Sequence, residues 1–253
     1  GAARDFDLVV GADGLHSAVR AFVFGPEGNF EKRLGYVVAA VDVVGYRPRD
    51  ALVLVSHTTP GRQAARFTLR DDRTLILFVF AAVQTPGPEP RGLSERKALL
   101  HQVFDGAGWE CPQLLRATDG VAELYFDRVS QIRMPAWSRG RVMLIGDAAA
   151  CVSLLAGEGT GLAMTAAYVV AGELHKANGD YRAAFFRAEQ RLRPFITGKQ
   201  AAAENFASSF VPKTGFGVWK RNQAAKLLAY APLANLLLGR SFRDDFDLPD
   251  YRM

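Results

Sequence analysis

The sequence predicts a mixed α/β (α+β) protein in which one α/β layer is interrupted by a mostly antiparallel sheet and followed by helices. Three observations predict it. Two short apolar runs, each ending in a glycine-bearing turn that opens a helix, lie far apart at residues 7–20 and 140–161. Between them the chain is rich in valine and in turn residues at strand spacing. Beyond Gly159 it reads as helix almost to its end.

Taken in order, residues 6–10 form a nearly continuous apolar run, suited to a strand covered on both faces. Asp13-Gly14 turns this strand into a short helix at 15–22, and Gly25-Pro26 ends the unit. Residues 36–44 and 52–56 read as strands, and 66–69 with 74–80 as a hairpin joined at Asp71-Asp72. The proline-rich stretch 85–92 is a loop. Ser94 is expected to cap a helix whose apolar face is Leu99, Leu100, Val103 and Phe104. Pro112 suits the first position of another helix, and 121–134 reads as a long strand. A helix follows at 160–176. Asp180 is expected to cap the next, which Pro194 should kink or interrupt. Residues 206–211, 219–230 and 233–238 continue the helical pattern before a polar tail at 244–253.

Composition narrows the function classes. At 253 residues, 49% hydrophobic and 23% charged, the chain is long enough for a substantial core. Its formal net charge of +5 is spread without runs of like charge or basic–aromatic alternation, so no nucleic-acid partner is expected. Cys111 and Cys151 make neither a disulfide framework nor a metal site, and fit a reducing, cytoplasmic setting. The four histidines share no metal-ligand spacing, so no metal is expected. No apolar run reaches the length of a membrane span. The chain opens Gly-Ala-Ala-Arg without methionine and reads as a segment of something longer.

The chemistry lies in the two strand–turn motifs. Asp147, directly after the apolar strand and Gly146 and followed by Ala148, places a carboxylate at a strand's end, where it can accept hydroxyl groups of a nucleotide cofactor. Alone, it serves equally well as a turn or helix cap. Gly157, Glu158, Gly159, Thr160 and Gly161 favour the cofactor reading. Three glycines in five residues strip away side chains and expose N–H groups at the mouth of a helix, where the dipole favours negative charge. Ala163, Ala166, Ala167, Ala171 and Gly172 keep that helix slim. Upstream, Gly14 permits a sharp turn beside Asp13, Ser17 can bond nearby backbone, and Arg20 can anchor a carboxylate or phosphate.

With these residues in view, segments 7–20 and 141–161, joined by the stretch 125–135, resemble the FAD-dependent (class A) monooxygenases related to p-hydroxybenzoate hydroxylase. The resemblance implies FAD as cofactor and NAD(P)H as co-substrate. It implies that Asp147 meets the ribityl chain, that 157–161 lies against the flavin ring, and that Asp13, Gly14 and Arg20 belong to a motif shared by FAD and NAD(P)H. The middle sheet would wall the pocket of a small organic substrate, aromatic ones included. The family's reaction passes through a flavin C4a-hydroperoxide and asks little acid–base help from side chains, so no catalytic residue is assigned. The organisation expected is 1–27 and 137–178 as parts of an FAD-binding domain, 28–136 as the substrate sheet, and 179–253 as a helical region.

Departures from the family pattern set further expectations. Its Gly-x-Gly-x-x-Gly unit, which cradles the pyrophosphate, is absent, so the chain by itself is expected to hold FAD weakly or not at all. Leu154 stands where many relatives carry proline, and Glu158 where many carry glutamine. A charged Glu158 beside a reduced flavin is unfavourable unless it points outward, the expectation here, or meets an arginine. Two rivals remain: a reductase of the same fold, prenyl-reductase-like, and a non-catalytic flavoprotein fragment. Ser153 lacks the context of a hydrolase nucleophile. The stretch 206–238 reads as packing helices rather than a membrane-docking surface, and Trp109, Trp137 and Trp219 as core or interface.

Overall fold

A computed structural model describes residues 3–46, 52–85, 87–228 and 246–251. The chain divides into two compact units. The first draws on the described residues within Gly1–Leu34, Ser130–Ala207 and Phe242–Met253, the second on those within Gly35–Val129 and Ser208–Ser241. The fold is α/β with two sheets, one mostly antiparallel, and helices toward the C-terminus.

In the first unit, β1 (Val9–Gly11) pairs in parallel with β8 (Val142–Leu144), and β7 (Ser138–Arg139) pairs antiparallel on the other side of β8. The register sets Val9 opposite Val142 and Gly11 opposite Leu144. Each of β1 and β8 leads through a turn into a helix: α1 (Ala18–Phe24) and the short α4 (Asp147–Ala150). The strand expected over 6–10 is shorter and shifted, because Phe6 lies outside the ladder and 70% exposed. The core gathers Met143, Leu144 and Ala148–Val152 against α5 (Gly159–Lys176) and α6 (Tyr181–Phe210). Buried Phe185 and Leu192 from α6 contribute roughly 1.5–3 kcal/mol each.

The second unit is built on a five-stranded sheet in the order β3 (Leu54–Thr59), β4 (Arg62–Thr68), β5 (Arg73–Ala81), β2 (Glu31–Val44), β6 (Tyr125–Ile132). Asp71 and Asp72 take φ values of 57° and 59°, the paired left-handed conformation of a tight hairpin turn. Strand alternation turns Val37, Ala39, Val41 and Val43 of β2 to one face, with Ile76, Phe78 and Phe80 of β5. Onto that face pack α2 (Leu93–Phe104) and α3 (Cys111–Asp119) through Leu100, Val103, Phe104, Leu114 and Leu115. A further helix, α7 (Gly215–Leu228), is tied to the sheet by Arg221, which donates to Thr58 Oγ1 (2.8 Å) and Gln63 Oε1 (2.9 Å).

Several expectations are corrected. Gly92, not Ser94, is the N-cap of α2, and no side chain caps it. The long strand expected at 121–134 contracts to β6. Pro194 does not interrupt α6, which runs on to Phe210 and absorbs the helical segment expected from 206. Asp180 does cap α6, its Oδ1 accepting from the amides of Arg182 (3.1 Å) and Ala183 (3.3 Å). The segment 233–238 lies outside the described residues. Among the described residues no helix is long and apolar enough to cross a membrane, and no cluster of three metal-ligating side chains occurs.

Candidate functional site

Parallel pairing of β1 and β8 brings the two strand–turn motifs side by side at the carboxyl ends of both strands. Ile145 N–H donates to Gly11 O at 2.9 Å, so the turns leave the sheet together. Close approach here depends on Gly11: a Cβ at this position would lie 2.6 Å from Leu144 Cδ2 and 3.0 Å from Val19 Cβ. Carboxyl ends of parallel strands are where open α/β sheets place their ligands.

In the second motif, Gly146 sits at φ 58°, ψ −142°, and a Cβ there would meet Ala163 Cβ at 3.0 Å. The turn therefore lies directly on α5, as the small residues of that helix allow. Asp147 opens α4, and its carboxylate lies over the start of α5: a Cβ on Gly159 would be 3.7 Å from Asp147 Oδ1 and 3.8 Å from Oδ2. Ala148 is buried. Cys151 Sγ donates to Ser130 O (3.8 Å) in the neighbourhood of the Asp147 carboxylate. Burial, and then that carboxylate, push the Cys151 thiol far up, so it remains a neutral donor.

Gly157 turns the chain with φ 69°, and α5 begins at Gly159 with Glu158 as N-cap. The first helix-type bond is Leu162 N–H to Glu158 O (3.1 Å), so the amides of Gly159, Thr160 and Gly161 precede the helical ladder. Gly157, Thr160 and Gly161 are exposed. Glu158 makes no capping bond to α5. It accepts from Lys199 Nζ at 3.0 Å, and the two side chains are 35% and 14% exposed.

The first motif is directed inward. Asp13 accepts from Ser17 Oγ (2.5 Å) and from Val19 N–H (3.0 Å), while Ser17 caps α1 through Arg20 N–H (2.9 Å). Burial raises the Asp13 carboxyl, but the Ser17 and backbone hydrogen bonds outweigh it and hold the group below the usual aspartate range. Gly14 has φ 82° with open space around it, so conformation rather than crowding favours glycine there. Arg20 is fully buried. Its guanidinium donates to Ala148 O (3.1 Å), Leu15 O (2.6 Å) and Glu27 Oε2 (2.6 Å), which ties the first motif to the second. Arg20 is thus held within the protein rather than offered to an anion.

Sequence reading passed over the residues that brace this arrangement. Gln131 Nε2 donates to Val152 O (2.9 Å) and Gln200 O (2.8 Å), and Gln200 Nε2 donates to Ile132 O (2.8 Å) and Cys151 O (3.0 Å). These bonds pin α6 to the loop between Asp147 and Gly157. Nothing in a lone glutamine signals such a role, since its partners are backbone carbonyls remote in sequence. A groove of about 430 Å³, lined by Ser138, Gly140, Phe186 and Gln190 among others, lies at the amino end of β8, the opposite end from the turns.

The donor set fits a flavin: a strand-end carboxylate for ribityl hydroxyls, side-chain-free amides at a helix mouth, and glycine turns that admit close approach. Comparison with known proteins agrees. A family model described as an FAD binding domain matches residues 5–181. A protein named flavin-dependent monooxygenase, from an unknown prokaryotic organism, is 33% identical over 259 residues, 99% of this chain and 63% of that protein. Another of that name, from Legionella longbeachae serogroup 1 (strain NSW150), is 32% identical over 224 residues, 84% of this chain and 54% of that protein. The crystal structure of tetracycline destructase Tet(55) matches with a TM-score of 0.81 and 29% identity, covering 99% of this chain and 64% of that one. The chain thus spans less than two thirds of the length of these relatives. With both motifs inside the matched region, the chain belongs to the FAD-binding-domain family, that of the flavin-dependent monooxygenases it resembles.

Proposed function

We propose that this chain forms the ribityl and isoalloxazine side of the FAD site of an NAD(P)H-dependent monooxygenase. The observation that carries the reading is the Asp147 carboxylate lying over Gly159 at the open mouth of α5. Bound FAD would supply the redox chemistry, passing electrons from NAD(P)H to O₂ and one oxygen atom to a small organic substrate. The protein's part is to hold and shield. Asp147 would accept ribityl hydroxyls, and the amides of Gly159, Thr160 and Gly161 would face the electron-rich edge of the ring. Gly146 and Gly157 would admit the ring without side-chain interference. Asp13, Gly14 and Arg20 would shape the neighbouring turn, Arg20 acting through Ala148. The middle sheet is the proposed wall of the substrate pocket. The likeness to a tetracycline destructase makes a tetracycline the first substrate to try.

The test is a titration of FAD into the purified chain, followed by quenching of flavin fluorescence. Binding is expected to be weak, since the chain holds no Gly-x-Gly-x-x-Gly unit for the pyrophosphate. Asp147→Ala should weaken it by on the order of tenfold or more, the cost of a charge-assisted hydrogen bond, with an unchanged circular dichroism spectrum. Equal binding by variant and wild type would remove Asp147 from the site. Oxygen uptake driven by NAD(P)H and coupled to a hydroxylated product separates the monooxygenase from a reductase of the same fold.

A further inference from the structure

We propose that Lys199 is a positioning residue that keeps the Glu158 carboxylate out of the flavin-facing mouth of α5; this rests on the flavin reading above. The geometry creates a competition. Glu158 is the N-cap of α5, one residue from amides that have no helical acceptor, and a carboxylate at that position is drawn to such amides by hydrogen bonding and by the helix dipole. A glutamate folded back onto them would fill the anion-binding surface with the protein's own charge. It would also repel the negative N1–C2=O edge of a reduced flavin. Yet Glu158 makes no capping bond to the helix. Its Oε1 is instead 3.0 Å from Lys199 Nζ.

Lys199 is built to win that competition. Its side chain is only 14% exposed, so the ion pair is shielded from water more than a surface pair. The ammonium lies 5.6 Å from the centre of the Phe195 ring, one turn earlier on α6, and Phe246 stacks on that ring at 5.0 Å. The next residue, Gln200, is buried and bonded to Ile132 O and Cys151 O, while its own carbonyl accepts from Gln131. The backbone that carries Lys199 is therefore fixed to the loop leading into the flavin turn. The exposed positions at the mouth are left to Gly157, Thr160 and Gly161, none of them charged.

The experiment titrates oxidised and dithionite-reduced FAD into the wild-type chain and into Lys199→Met, Lys199→Arg, Glu158→Gln and the Lys199→Met/Glu158→Gln double variant, with thermal melts of each. Lys199→Met should weaken reduced FAD by on the order of tenfold more than oxidised FAD, as expected when a carboxylate loses its charged partner. That ratio corresponds to a flavin midpoint potential about 30 mV more negative. Glu158→Gln should restore the ratio in the double variant, and Lys199→Arg should keep it near wild type. Equal weakening of both redox forms, or a loss that Glu158→Gln does not rescue, assigns Lys199 a purely structural role and overturns the inference. The same titrations are run on the chain joined to the N-terminal Gly-x-Gly-x-x-Gly unit of a relative, and binding of neither form by that protein overturns the flavin reading itself, and the inference with it.

Discussion

At Gly146 the backbone takes φ 58°, ψ −142°, a combination essentially closed to residues with a Cβ, and Ala163 fills the space where one would go. Gly146→Ala should therefore destabilise the chain by roughly 1–3 kcal/mol, read as a lower midpoint in urea. A wild-type midpoint would mean that the turn relaxes freely. Away from the turns, Glu110 accepts from Arg66 Nε (2.8 Å) and from Tyr46 O–H (2.5 Å). Burial raises the Glu110 carboxyl, but these hydrogen bonds and the Arg66 charge outweigh it and hold the group below the ordinary glutamate range. A carboxyl depressed in this way contributes stability that is present above its unfolded pKa, about 4.3, and lost as pH falls through the lower folded value. Glu110→Gln should thus lower stability at neutral pH and flatten the acid limb of the stability curve, with denaturant midpoints at each pH as the measure. The glycines of the two motifs were legible because turn chemistry is local. Glu110 and Lys199 were not, because a charge discloses its partner only when the chain brings the two together.

Among the elements, α5 joins the site to the rest of the first unit. One end carries the glycine-rich mouth, and at the other Gly172 lets the ring of Tyr251 lie flat against the helix, where a Cβ would come within 2.2 Å of Tyr251 Cδ2. Tyr251 donates to Glu173 Oε1 (2.8 Å), and Arg187 Nε and Arg191 Nε reach the same carboxylate at 2.9 and 3.0 Å. Burial, then the bond to Glu173, push the Tyr251 phenol up to about 12. Gly172→Ala should lift the segment 246–251 off α5. Hydrogen exchange in that segment should accelerate while the middle of α5 stays protected. Unchanged exchange would show that the ring moves aside without losing its place. The small residues of α5 were read from the sequence as a means of close approach. Ala163 serves Gly146 and Gly172 serves Tyr251, whereas Ala167 and Ala171 lie on the exposed face. Pattern gives the face, and the partner comes from tertiary contact.

On the scale of the molecule, β1 is an edge strand of its sheet among the described residues, with β8 on one side only. Val9 and Val10 are 38% and 43% exposed, and Phe22 of the adjoining α1 is 88% exposed. An open parallel edge beside apolar side chains favours association with another strand. Val10→Lys should reduce self-association of the purified chain, measured by sedimentation velocity, while leaving its melting temperature close to wild type. Association that persists unchanged would show that other surfaces drive it.

The sequence by itself determined the α/β class, the antiparallel middle sheet, the glycine turns and the cofactor family. The first three follow from local chemistry, that is, strand and helix periodicity and residues that tolerate positive φ, and the cofactor family from the resemblance of the two motifs to a known family. It overestimated the first strand and expected Pro194 to kink or interrupt a helix that runs on uninterrupted to Phe210, since burial of Leu192 before the proline and Ile196 after it outweighs a single missing hydrogen bond. Only the tertiary structure decided how the motifs meet. The pairing of Val9 with Val142 across 133 residues, the Arg20 bond to Ala148 O and the Lys199 hold on Glu158 are long-range contacts. No local pattern encodes them, because their energy exists only once the whole unit has folded around them.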